Sequence, residues 1–304
     1  MRILVDMTSV SSQTVKTLTQ HFSEAHVNHS HELVLFGDSQ IIKSNLGADQ
    51  RNYTIVESES VNAVIQALQE AQNQALLTFG DSKYFYSLLD NQQDNKFAIA
   101  HATLFKKDDK PIMLLDSGVN TEPNANTLFY FAYLANIYMQ NILNTPTPCV
   151  GILSNGEEEG KGTQLIRDIG ELLQDSTLNY MGNIEPAEII AGDADLIITD
   201  GYTGDIFLKT FAPAMRYLLK LIRDERSSNV LTQIGEYVAN AGLTRTDQKI
   251  NDFQNLGGPI LGYNNLAFWC PPNADLHIIQ NALNTLQRSA DADFTKLTKE
   301  ISVL

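Results

Sequence analysis

Short apolar runs alternate with helix-patterned segments along most of this chain, and this alternation limits the folds open to it. The runs have the length and composition of buried strands, and they lie at 2–5, 32–36, 75–79, 112–115, 150–153 and 196–199. The segments between them repeat apolar residues at helical spacing, at 14–22, 84–89, 126–143, 163–173 and 206–219. Strand, loop and helix repeated this often predict an α/β fold with a mainly parallel sheet covered by helices on both faces.

The charge balance argues against several classes of partner. The 304 residues include 21 Lys and Arg against 36 Asp and Glu, so the net charge is −15. Such a surface repels nucleic acid phosphates, and a polybasic patch for an anionic membrane is absent from the sequence. Hydrophobic residues make up 43% of the chain, and no apolar run reaches the roughly 18–20 residues that span a bilayer.

Cysteine usage indicates a reducing compartment. The chain has two cysteines, Cys149 and Cys270, without CxxC spacing. We therefore expect a cytoplasmic protein with neither a disulfide scaffold nor a cysteine-based zinc site. The apolar part of the first residues is too short for a signal peptide, so it is predicted to form the first strand.

Several predicted strands end in loops of small or glycine residues. These loops contain Asp116-Ser-Gly118, Asn155-Gly156, Asp200-Gly201 and 257–262. The carboxyl ends of parallel strands meet at one edge of a sheet, so we expect the loops to converge on one cleft. The loop at 200 leads into a helix whose first N–H groups are expected to be free for a small anion. The simpler alternative is that Gly and Asp form tight turns.

The segment 154–163 resembles a phosphate loop without matching its spacing. Gly156 lies one residue too close to Gly160-Lys161, and Gly162 separates the lysine from Thr163. A nucleotide-binding enzyme is therefore a weak hypothesis, and the alternative is that Thr163 caps the following helix. No GxGxxG follows the first strand, which disfavours a dinucleotide dehydrogenase.

The polar residues of these loops are candidates for anion binding and proton transfer. Lys161 and Lys209 are the cations best placed to meet an anion, although most lysines are solvated surface residues. Asp116 and Asp200 could act as bases, although Asp at a strand end often serves as a turn or cap. His101 is predicted to be structural or exposed rather than catalytic, Cys270 is predicted to be a buried inert thiol, and no covalent nucleophile stands out.

Four motifs in order resemble those of PlsX, the bacterial phosphate acyltransferase family. They are Leu114-Leu-Asp-Ser-Gly-Val-Asn120, Val150-Gly-Ile-Leu-Ser-Asn-Gly-Glu-Glu-Glu-Gly-Lys-Gly162, Asp200-Gly-Tyr-Thr-Gly-Asp-Ile-Phe-Leu-Lys209 and Gly257-Gly-Pro-Ile-Leu-Gly262. The resemblance implies a fold like that of isopropylmalate dehydrogenase, with two lobes and a cleft. The first lobe would contain 1–115 plus 264–304. The second would contain 116–263, with an arm or dimer segment at about 227–255.

The resemblance also implies a reaction. The family moves a fatty acyl group from acyl carrier protein to inorganic phosphate, which gives acyl phosphate for phospholipid synthesis. It implies a homodimer and contact with the membrane surface, and the acidic balance of this chain predicts that this contact is weak. No cofactor and no metal ion are expected. The implied catalytic residues are Lys209, Asp200 and Lys161. The implied phosphate- or substrate-binding residues are Asp116, Gly118, Asn120, Gly156, Glu158, Gly162, Thr203, Gly204 and Gly258.

Four other segments depart from the family pattern. The departures are the residues after Asp6, the segment Thr78-Phe-Gly-Asp-Ser-Lys83, His101-Ala-Thr103 where the family has Arg-Pro-Ala, and Trp269-Cys-Pro-Pro272 where it has His-Gly-Ser-Ser. Bulkier residues in place of glycine block close backbone approach, and loss of an arginine removes a bidentate phosphate partner. The alternative function is therefore a catalytically impaired binding or regulatory relative of the family.

Overall fold

A computed structural model describes residues 1–24, 32–46, 53–58, 60–70, 74–80, 98–107, 110–226 and 257–299. The strands are β1 (Arg2–Asp6), β2 (Glu32–Gly37), β3 (Tyr53–Glu57), β4 (Gln74–Thr78), β5 (Ala100–Lys107), β6 (Lys110–Leu115), β7 (Cys149–Leu153), β8 (Asn179–Ile184), β9 (Leu196–Ile198), β10 (Gly258–Leu261) and β11 (Leu266–Trp269). The helices are α1 (Ser12–Glu24), α2 (Ser39–Asn45), α3 (Val61–Glu70), α4 (Ala125–Asn141), α5 (Gln164–Gln174), α6 (Pro186–Ala191), α7 (Gly201–Arg226), α8 (Leu276–Asp291) and α9 (Phe294–Lys299).

The strands form one sheet, which confirms the predicted fold class. Its order is β3-β2-β1-β4-β11-β10-β5-β6-β9-β7-β8. Among the described strands, antiparallel pairing is confined to β11–β10, β10–β5 and β5–β6, and the other neighbours are parallel. Apolar residues of the sheet and of the helices on both of its faces are buried, and α4 alone buries seven side chains.

Each strand predicted from the apolar runs is present, and the helix predicted at 84–89 lies outside the described residues. The arm segment predicted at 227–255 also lies outside them. The division into two lobes stays a prediction, because a single sheet runs through both predicted parts.

The prediction of a loop at 257–262 is wrong, because most of this segment is the central strand β10. β10 pairs with β11 on one side and with β5 on the other. A Cβ atom at Gly258 would overlap the carbonyl oxygen of Ala102, so only glycine lets the strand lie this close to β5. Gly258 is thus a buried residue of the sheet rather than part of a loop.

Candidate active site

The loop after β6 is organised by a buried carboxylate. Asp116 Oδ1 accepts the N–H groups of His101 and Val119 at 3.2 and 3.4 Å. Its Oδ2 accepts the backbone N–H and the side-chain Nδ2 of Asn120, both at 2.7 Å. Burial raises the pKa of Asp116 from 3.8 to about 6 although these donors favour the charged form. Asp116 therefore holds the shape of the loop 116–120.

The first turn of α7 packs closely against this loop. The N–H of Gly201 donates to the carbonyl of Asn120 at 2.7 Å. A Cβ atom at Gly204 would overlap the carbonyl oxygen of Asp116, and one at Gly118, whose φ is +111°, would lie 3.7 Å from Asp205. The glycines at 201 and 204 are therefore needed for contact between loop and helix.

Asp200 caps α7, which corrects the expectation of free N–H groups at this helix start. Its Oδ1 accepts the backbone N–H of Thr203 at 2.8 Å, and its Oδ2 accepts the Thr203 hydroxyl at 2.7 Å. Since Gly201 donates to Asn120 as well, two of the first N–H groups are already bonded. The alternative that Asp200 serves as a turn or cap residue is therefore confirmed.

The glycine-rich segment between β7 and α5 is also a turn ended by a cap. Thr163 Oγ1 accepts the N–H of Ile166 at 3.4 Å, as the cap alternative predicts. Gly162 has a φ of +88°, and a Cβ atom there would lie 2.7 Å from Ile166 and 3.0 Å from Ser154 Oγ. Gly156 packs against Lys161, and the carbonyl of the exposed Glu158 accepts from Asn183 Nδ2 at 3.4 Å.

A groove of about 800 Å³ lies between the loop after β7, the loop after β9 and helix α7. Gly162, Asp200 and Thr203, which were predicted to bind substrate or act in catalysis, line it together with Ser154 and Thr163. The rest of its surface is largely apolar and comes from β7, α5, α6 and α7. The Oγ atom of Ser154 is buried and has no hydrogen-bond partner among the described residues.

The other predicted site residues lie outside this groove. The loop with Asp116, Gly118 and Asn120 contacts a different side of α7, at Gly201 and Gly204. Lys161 borders a second cavity of about 570 Å³ beside Arg167. Lys209 is 72% exposed and forms an ion pair with Asp205 at 2.6 Å. The structure thus places the loop 116–120, Gly162 and residues 200–204 beside the start of α7, whereas Lys161, Lys209 and Gly258 lie elsewhere.

The structure brings together described residues from all four segments that depart from the family pattern. Asp6 Oδ2 accepts the Thr78 hydroxyl at 3.1 Å, and the indole N–H of Trp269 donates to the carbonyl of Gly80 at 2.7 Å. The rings of Trp269 and His101 meet edge to face with 5.0 Å between centroids. The departures therefore form one continuous wall beside the loop after β6.

The sequence alone did not predict a buried polar network that joins this wall to the loop after β6. Ser117 Oγ lies 2.9 Å from His101 Nδ1 and 2.9 Å from Thr103 Oγ1. Burial lowers the pKa of His101 to about 4, so the imidazole is neutral at physiological pH. The only sequence signal was that His101 and Thr103 lie in an altered motif, and nothing in the sequence singled out Ser117.

The described residues offer neither a membrane-spanning helix nor a metal site. No helix in the described segments combines the length and apolar character needed to cross a bilayer. Within the same residues, no group of three or more His, Cys, Asp or Glu side chains could hold a metal ion.

Comparison with known proteins shows where the chain has relatives. The family model described as fatty acid synthesis protein matches residues 98–297. The phosphate acyltransferase of Dehalococcoides mccartyi is 36% identical over 193 residues, which cover 62% of this chain and 55% of that protein. That of Clostridium tetani is 26% identical over 230 residues, covering 75% and 69%. The chain spans little more than half the length of some curated relatives, such as 54% of the protein of Nitratidesulfovibrio vulgaris.

Solved structures share the fold over nearly the whole chain. A branched-chain phosphotransacylase from Enterococcus faecalis has a TM-score of 0.58 at 15% identity, covering 95% of this chain and 99% of its own. A 4-hydroxythreonine-4-phosphate dehydrogenase from Klebsiella pneumoniae has a TM-score of 0.51 at 8% identity, covering 96% and 99%. At these identities the likeness supports the fold alone.

Proposed function

Because this chain belongs to the fatty acid synthesis protein family and is similar to phosphate acyltransferases, we propose that it transfers a fatty acyl group from a thioester to inorganic phosphate. The observation that carries the proposal is the meeting of three family motifs around the first turn of α7. The loop after β6 bonds to Gly201, and the loops after β7 and β9 border one groove.

The proposed reaction needs no nucleophile from the protein. An oxygen of phosphate attacks the thioester carbonyl, the carbon–sulfur bond breaks, and the thiolate leaves while acyl phosphate forms. The protein must position the two substrates and stabilise the developing oxyanion. We assign this work to the residues around α7, with Lys161 and Lys209 as the cations that meet phosphate. Lys209 must first exchange its ion pair with Asp205.

The role of Asp200 in this proposal is to position the helix. Its carboxylate already accepts two hydrogen bonds from Thr203, so it fixes the start of α7 beside the groove. Asp116 and Asn120 hold the facing loop in the same way. Gly156, Gly162 and Gly204 allow these segments to approach one another, Gly118 has a φ of +111° that favours glycine, and Glu158 is exposed.

The wider proposal follows the family. The donor would be acyl carrier protein, and the acyl phosphate would enter phospholipid synthesis. The protein would work in the cytoplasm, with two lobes and at most weak contact with a membrane surface. A homodimer is supported by the far half of α7, where Tyr217, Leu218 and Leu221 are exposed.

Phosphate-dependent release of thiol from acyl carrier protein thioester tests the proposal. Lys161→Ala should lower kcat/KM for phosphate by about tenfold or more, because it removes a cation from beside the glycine loop. Lys43→Ala in α2 is the control. It removes the same charge from a residue that lines neither the groove nor the cavity beside Lys161, so its activity should stay at the wild-type level. Equal activity in the two variants would contradict the role of Lys161.

A further inference from the structure

The groove beside α7 has polar groups at one end and apolar walls beyond them. Ser154, Thr163 and Asp200 lie where β7 and β9 end and α5 and α7 begin. From there α7 lines the groove with Phe207, Phe211 and other residues spaced three or four apart, so one face of the helix forms a continuous wall. Leu153, Ile166 and Ile190 line the groove as well.

We propose that this groove binds the acyl chain of the thioester donor and of the acyl phosphate product. The carbonyl end lies beside Ser154, Gly162 and Thr163, and the methyl end extends toward Ala214. This inference rests on the proposed function and adds to it the binding site of the acyl chain.

The dimensions and chemistry of the groove fit a fatty acyl chain. Its stretch from Thr203 to Ala214 covers eleven residue-to-residue steps of helix, which is about 16 Å. The rings of Phe207 and Phe211 are stacked, with centroids 5.6 Å apart and planes 5° apart, so they present a flat apolar surface. A flexible hydrocarbon gains affinity from such a surface, whereas a nucleotide would need polar partners along its whole length.

The polar end supplies what the carbonyl group needs. Ser154 lines the groove, and its Oγ, which has no hydrogen-bond partner among the described residues, is the donor assigned to the thioester oxygen. Gly162 has no side chain to fill the space next to Ser154 Oγ. The carboxylate of Asp200 accepts two hydrogen bonds from Thr203. It therefore serves the start of α7, and the uncharged acyl chain needs no ion pair from it.

Ala214 is the residue that should set the chain length. Among the α7 residues whose side chains the structure describes, it is the last that lines the groove, and its side chain is small. Ala214→Trp should fill the far end and exclude the terminal methylenes of long chains. Each methylene that loses its contact lowers affinity by roughly fourfold, so long chains should lose tenfold to a hundredfold while short chains keep wild-type affinity.

The test is displacement of a fluorescent fatty acid by saturated fatty acids of increasing length, without phosphate or carrier protein. Ala187→Trp is the matched control, because it makes the same substitution on an exposed position of α6 that does not line the groove. The inference is supported if Ala214→Trp moves the preferred length to shorter chains while Ala187→Trp does not. Circular dichroism and sedimentation identify variants that misfold or change their association state.

Three results would overturn the inference. They are an unchanged length preference in Ala214→Trp, no binding of any fatty acid to the wild type, and a change confined to association state, which would make the groove a contact between copies of this chain. The test separates the two proposals. A shifted length preference without acyl phosphate formation would leave the groove standing and reject the proposed function. Acyl phosphate formation without a shift in length preference would support the proposed function and reject the groove as the binding site of the acyl chain.

Discussion

The buried carboxyl group of Asp116 should make the stability of the folded protein depend on pH. Its pKa is raised from 3.8 to about 6 in the folded protein, so between these values the folded state binds its proton more tightly than the unfolded state. Stability from this group is therefore present below pH 4 and is lost as pH rises through 6. The change is about 3 kcal/mol.

Denaturant unfolding at several pH values measures this contribution. The free energy of unfolding of the wild type should fall between pH 4 and 6 relative to that of Asp116→Asn, whose side chain does not titrate. Asp168→Asn, on an exposed position of α5, is the control and should keep the wild-type slope. Parallel curves for the wild type and Asp116→Asn would contradict the raised pKa.

Ser154 carries a cost in stability that function would explain. Its Oγ is buried without a hydrogen-bond partner in the described part of the chain. Ser154→Ala should therefore raise the free energy of unfolding by up to about 1 kcal/mol. It should also lower kcat by about tenfold, because one donor to the oxyanion is lost. Thermal unfolding and thiol release measure the two effects, and a variant that is less stable yet fully active would refute the assignment.

At the scale of elements, α7 is the helix that organises the site. Gly204 and Gly170 are both helical glycines, but their surroundings differ. A Cβ atom at Gly204 would overlap the Asp116 carbonyl, whereas one at Gly170 would lie 3.4 Å from Tyr180 Oη, an ordinary contact.

The same substitution should therefore have opposite effects at these two positions. Gly204→Ala should destabilise the protein by about 3 kcal/mol, because the helix must move away from the loop. Gly170→Ala should stabilise it by about 0.5–1 kcal/mol through helix propensity. Chemical denaturation of both variants checks the prediction, and changes of the same sign would show that the contact at Gly204 can relax.

The sequence predicted those elements whose pattern is local and strong. The strands β1, β2, β4, β6, β7 and β9, and the helices α4 and α5, follow from apolar runs and helical spacing. β10 was mistaken for a loop because Gly257, Gly258 and Pro259 are typical of turns. Its strand conformation depends on β5 and β11, which are distant in sequence. β3 was missed because it is only half-buried.

The site could be predicted in part for the same reason. Motif order indicated which loops belong together, and the loops after β6, β7 and β9 lie beside α7, whereas most of 257–262 is the strand β10. Hydrogen bonds then decide what each residue can do, as with Asp200, whose carboxylate is occupied by Thr203. The pairing of Ser117 with His101 joins the loop after β6 to β5, and no local sequence pattern reports it.

At the scale of the whole molecule, the exposed apolar residues of α7 bear on assembly. Tyr217, Leu218 and Leu221 are 64%, 46% and 43% exposed. If they form the proposed dimer contact, Leu218→Glu combined with Leu221→Glu should weaken dimerisation by at least about tenfold, because two carboxylates would be buried without partners. Lys220→Glu is the control and should leave sedimentation unchanged. A wild type that sediments as a monomer at micromolar concentration would contradict the proposal.

The central claim is that phosphate accepts the acyl group. The most direct measurement follows phosphorus-31 resonances while the folded protein acts on acyl carrier protein thioester and inorganic phosphate, with released thiol measured in parallel. The account predicts one acyl phosphate for each thiol released, and no thiol release when phosphate is omitted. Thiol release without acyl phosphate, or no reaction by a folded protein, would contradict it.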